Sequence, residues 1–92
     1  MLMNTRKIKL ALTAGLINKN TNGNALVAVK DLMNVFADEV GRFIGLQPVA
    51  NRRIGNAVRE TYMLNYENCT LNVDLLSLPK AKRQTIQRFQ LQ

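Results

Sequence analysis

From residue 24 to residue 45 the chain repeats apolar side chains at spacings of three and four: Ala25, Val29, Leu32, Met33, Phe36, Val40, Phe43 and Ile44. That period places them on one stripe of an α-helix. Asp31, Asn34, Asp38, Glu39 and Arg42 fall on the other side. Asn24 suits the N-cap, because its side-chain oxygen can accept from a backbone N–H of the first turn that has no helical partner. The pattern predicts one amphipathic helix of about twenty residues, ending near Gly45. Such a stripe must be covered by other elements. With no Trp, three Phe and two Tyr in 92 residues, the covering side chains have to be mostly Leu, Ile, Val, Ala and Met.

The flanking segments predict more helices. Residues 5–17 combine Ile8, Ala11, Leu12 and Leu16 with Leu10, Ala14 and Ile17, and Thr5 is placed to cap them. Residues 7–13 also alternate as a strand would. Helix is the reading adopted, because Ala and Leu are good helix formers and the apolar residues continue past the alternation. The Asn- and Gly-rich stretch 18–24 reads as a loop. A third helix fits residues 49–65, with Ala50, Ile54, Ala57, Val58, Thr61 and Tyr62 on one face and Pro48 just before its first turn. Residues 66–78 are open between strand and short helix: Leu71, Val73 and Leu75 alternate, while Leu75, Leu76 and Leu78 suit a helix. Ser77-Leu78-Pro79 then opens a last helix carrying Ala81, Lys82, Ile86 and Phe89. The expected fold is all-α, a single domain over 1–92 built as a small bundle of four to five short helices.

Whole classes of chemistry lack their residues. The chain has no His, so the commonest general base and metal ligand are missing. Cys69 is the single cysteine and Ser77 the single serine, which leaves no disulfide, no Cys-rich metal site and no serine with a histidine beside it. Neither Gly-rich phosphate-cradling pattern occurs. The expectation is a non-enzyme with no cofactor and no metal. The N-terminal residues do not read as a secretory leader, no run is long enough to span a membrane, and Asn68-Cys69-Thr70 matches a glycosylation sequon by chance. A cytoplasmic protein with a reduced thiol is expected.

One segment points to recognition. Residues 40–54 resemble a helix-turn-helix: Val40, Ile44, Leu46 and Ile54 take its apolar positions, Gly45 its turn and Gly41 its small-residue site. Asn51 departs from the pattern where an apolar residue belongs. In that motif Gln47, Asn51, Arg52, Arg53, Asn56 and Arg59 would face outward on a recognition helix. Arg matches guanine and Asn or Gln matches adenine through paired hydrogen bonds. The same residues also fit a plain helical hairpin with a solvated, basic face. Gly41-x-x-x-Gly45 reads as a close helix contact or chance.

The charge supplies the rest. Thirteen cations against six acids give +7, distributed as +5 over residues 1–30, −2 over 31–74 and +4 over 75–92. Lys80, Lys82, Arg83 and Arg88 at the C-terminal end would hold phosphates without reading sequence. The resulting expectation is a small basic regulatory protein that binds nucleic acid, DNA first, as a homodimer if it reads two half-sites. The alternative is a protein-interaction regulator, an inhibitor, adaptor or antiholin-like factor of phage or plasmid type, docking on an acidic or membrane-associated partner. The charge pattern sets a condition on the first reading: the basic termini must lie beside Arg52 and Arg53.

Overall fold

The computed structural model describes residues 4–16, 20–22 and 24–92. The chain order is α1 (Thr5–Leu16), β1 (Asn20–Asn22), α2 (Ala25–Asn34), α3 (Ala37–Val40), β2 (Phe43–Ile54), β3 (Ala57–Tyr66), β4 (Thr70–Leu78), a 3₁₀ turn (Pro79–Ala81) and β5 (Arg83–Leu91). The expected helical bundle is therefore wrong. The molecule is mostly antiparallel sheet with helices gathered on one face, an α+β arrangement. The second half of the chain is an up-and-down meander of four strands, and β1 adds to its β5 edge, giving the order β1-β5-β4-β3-β2.

The helical readings held only at the N-terminal side. Helix α1 forms, with Ile8, Leu12 and Leu16 as its buried stripe. Its cap is Asn4 rather than Thr5: the Asn4 side-chain oxygen accepts from the Lys7 N–H at 3.1 Å. Asn24 caps α2 as expected, accepting from the Leu26 N–H at 3.0 Å. The long helix then breaks. Helix α2 stops at Asn34, α3 is a single turn, and Gly41 ends it at φ 81°. That φ is open to glycine, and an added Cβ would lie 2.6 Å from the Glu67 Cβ. The expected 18–24 loop lies only in part within the described residues, and there Asn20–Asn22 is the short strand β1, not loop.

Residues 43–54 and 57–66 are strands, not the end of one helix and the body of another. Gly55-Asn56 joins them in a two-residue turn in which Gly55 alone has positive φ, 60°. This is the type II′ arrangement, whose twist matches that of the strands. The segment 40–54 thus forms no helix-turn-helix, and Gly41 and Gly45 lie on no common helix. Residues 70–78 settle as strand, and the expected last helix is a 3₁₀ turn followed by β5.

Alternation then builds the core. Leu71, Val73 and Leu75 of β4 point under the helices beside Leu64 and Tyr66 of β3 and Ile86 and Leu91 of β5. They meet Ile8, Leu12, Val29, Met33, Phe36 and Val40 in one cluster. The opposite face has no layer over it among the described residues. Its register places Arg52, Arg59, Thr61, Asn65, Asn72, Asp74 and Arg88 there.

Candidate nucleic-acid interface

A meander returns its alternate turns to the same end. The β2–β3 turn and the β4–β5 loop therefore lie side by side, and β1 joins there through Asn22 opposite Arg83. This turn end gathers Asn51, Arg52, Arg53, Asn56, Arg59, Lys80, Lys82 and Arg83, residues up to 32 positions apart in the chain. Among the described residues at this end, the one carboxylate against six cations is Glu60.

The positions differ in what they offer. Arg52 and Arg59 are directly opposed across β2 and β3 on the open face. Like charges directly opposed are destabilising in a sheet, so this pair lowers fold stability unless an anion lies over it. The Arg59 guanidinium donates to the Gln87 Oε1 at 3.2 Å. Arg53 stands opposite Val58 on the other face. Lys82 sits in the left-handed region at φ 53°, where its N–H donates to the Pro79 carbonyl at 3.2 Å and closes the loop. Arg83, opposite Leu78, returns to the open face.

Two expected site residues lie away from this cluster. Gln47 is opposite Met63, toward the middle of the sheet, and its Oε1 accepts from the Asn65 Nδ2. Arg88 is engaged: its Nε donates to the Asp74 Oδ2 at 2.5 Å, and Thr61 donates to the other Asp74 oxygen at 2.7 Å. Burial opposes ionisation of Asp74, but the Arg88 and Thr61 hydrogen bonds outweigh it and hold the carboxyl below its ordinary value.

The basic termini meet the condition set by the sequence only in part. Lys80, Lys82 and Arg83 flank the Arg52–Arg59 pair. The start of α1 does not: the Asn4 N–H donates to a Glu39 oxygen and Lys7 stands over the Phe36 ring, both at the opposite end. Neither Tyr66 nor Phe89 offers a stacking platform on the open face, since both lie on the core side of the sheet. Tyr66 is buried and Phe89 packs against the core.

Sequence reading missed the polar network behind the turn end. Glu60 accepts from the Tyr62 hydroxyl and, at 3.1 Å, from the Ser77 hydroxyl. Gln84 donates to the Ser77 oxygen and accepts from the Ala25 N–H at the start of α2. The Glu60 bond, followed by burial and the Glu60 charge, raises the Tyr62 pKa. These contacts tie the basic end to the helical layer, and they turn Glu60 inward, away from Arg52 and Arg59. The alternation of Glu60 with Tyr62 was their only signal, visible once the segment is read as a strand.

Fold and site together define a small α+β protein with helices over one face of an antiparallel meander and a cationic turn end. Comparison with protein families, with curated proteins and with solved structures finds no match to this chain. No helix of the described residues is long and apolar enough to cross a membrane.

Proposed function

We propose that this protein binds nucleic acid by its phosphate backbone, through the turn end of the sheet. The observation that carries the reading is the opposed Arg52–Arg59 pair on the open face, with Lys80, Lys82 and Arg83 at the same end of the sheet, and with Arg53 on the other face, to which Glu60 is drawn. An anion over that pair removes the repulsion the fold otherwise bears, so folding and binding are coupled there. No aromatic side chain belongs to the open face by register, which favours phosphate contact over base stacking. Sequence readout by a recognition helix is withdrawn with the helix-turn-helix, and the need for a dimer goes with it. The protein acts as a binding module and not a catalyst, in the compartment where its nucleic acid lies; the cytoplasm also suits the buried, free Cys69.

A second reading has its own observation. Ile44, Val49 and Ile54 are exposed on the outer strand β2, the same strand as Arg52 and Arg53. Apolar and cationic side chains together suit an acidic protein surface, in line with the interaction regulator considered from sequence.

Fluorescence anisotropy with a labelled duplex at 50–200 mM salt separates the readings. Four neutralised phosphates give about a 100-fold loss of affinity across that range. Arg52→Gln with Arg59→Gln is expected to weaken binding at least ten-fold and flatten the salt slope. Arg6→Gln with Lys7→Gln, at the far end, is expected to change it little. Absence of binding at 50 mM salt, or equal loss from the far-end pair, rejects nucleic acid as the partner.

A further inference from the structure

At the end of the sheet opposite the basic cluster, a cleft of about 600 Å³ opens between α2, the 41–43 segment and the last residues of β3. That volume falls within the range of small-molecule sites. Met33, Ala37, Phe43 and Tyr66 line it, and Phe43 packs edge-on to Tyr66 with centroids 5.4 Å apart. Phe43 is 40% exposed although its ring belongs to this wall. The Lys30 ammonium stands 4.6 Å from the centre of that ring.

The charges around the cleft are unequally engaged. Glu67 accepts from the Arg42 N–H at 2.7 Å, and the Arg42 guanidinium lies 3.4 Å from the same oxygen. The two therefore largely answer each other. Asp31 also lines the cleft, but it follows Lys30 directly in α2, and neighbours in a helix do not face one another. Among the described residues no carboxylate pairs with Lys30. Gly41 keeps the cleft's floor tight, since no side chain fits between it and Glu67.

We propose that this cleft binds a small aromatic monoanion, its ring against Phe43 and Tyr66 and its carboxylate or sulfonate on Lys30. An apolar wall supplies the affinity, and one cation free of an ion pair fixes the orientation. Burial pushes the Tyr66 hydroxyl up to about 12, so it remains a protonated, uncharged part of that wall at neutral pH. The site is separate from the basic turn end and does not depend on nucleic-acid binding.

The test is a titration of the full chain with 1-anilinonaphthalene-8-sulfonate, followed by competition with 2-naphthoate. Saturable binding at one site per chain is expected, with displacement by 2-naphthoate and much weaker displacement by the uncharged 2-naphthalenemethanol. Lys30→Gln is expected to weaken binding at least ten-fold, and Phe43→Leu to weaken it several-fold. Val27→Gln, an exposed apolar position outside the cleft, is expected to leave it unchanged. Far-UV circular dichroism checks that each variant folds. Lys30 is exposed, so its substitution keeps the test meaningful if Phe43→Leu unfolds. Non-saturating fluorescence, or wild-type affinity in Lys30→Gln, overturns the proposal.

Discussion

Asp74 shows how one side chain links the open face to stability. It accepts from Arg88 and Thr61, and its carboxyl titrates below the ordinary 3.8. A depressed carboxylate pKa stabilises the fold above the unfolded value, and the gain is lost as pH falls through the folded value. Asp74→Asn is therefore expected to lower stability at pH 7 by about 0.5–1 kcal/mol, as for a partly exposed pair. The gap between wild type and variant is expected to close as pH falls below about 4. Urea unfolding at pH 7, 5, 4 and 3 measures this; a gap that stays constant would show that the Asp74 charge does not matter. Glu67 is also held low, chiefly by the Arg42 N–H, so wild type and variant share its acid-side loss and the difference isolates Asp74. At this scale the sequence was legible where an effect is local. Asn24 caps a helix because its oxygen reaches a neighbour two residues on. The Asp74–Arg88 pair joins residues fourteen apart and was invisible.

The elements explain why a sheet read as helices. In β5, Ile86 and Phe89 are three apart, the spacing of a helical face. They share one side of a strand because the pairing slips by one residue between Leu75 opposite Ile86 and Asp74 opposite Arg88, leaving Gln87 as the extra residue of a bulge. In β2 the register skips Ile44 and Val49, so its apolar residues also lose a period of two. The turn was signalled all the same: Gly55-Asn56 is a two-residue hairpin dipeptide between Val, Ile, Thr and Tyr. The bulge gives a test. Deleting Gln87 restores an unbroken ladder without moving any side chain to the wrong face, so the variant is expected to fold with a loss of about 1 kcal/mol. Deleting Asn72 from β4, where the ladder with β3 is continuous, exchanges faces for Thr70 and Leu71 and is expected to abolish cooperative unfolding. Thermal melts of the two deletions distinguish a bulge from a helical turn, in which both would do similar harm.

At the scale of the molecule one core underlies both ends of the sheet. Leu75 is fully buried in the middle strand, between the helices and both neighbouring strands. Leu75→Ala is expected to cost about 2–5 kcal/mol, a large part of what a domain of this size possesses. Equilibrium urea denaturation reads it out, and binding at the turn end and in the cleft is expected to fall together with the folded fraction. A variant that unfolds one end while sparing the other would argue for two units instead of one.

The sequence by itself determined the aliphatic core, the first helix, the cap and start of the second, and the cationic balance. Each depends on composition or on contacts within a few residues, which spacing and propensity encode. Only the tertiary structure decided that residues 43–91 form a sheet, because strand pairing is settled by distant partners and bulges disguise its period. It alone decided where the charge goes. A meander brings Arg52, Arg59, Lys82 and Arg83 to one end, while the antiparallel pairing of α1 and α2 carries Arg6 and Lys7 to the other. Charge is a property of residues, but the field a partner meets depends on which strands and turns the fold sets side by side.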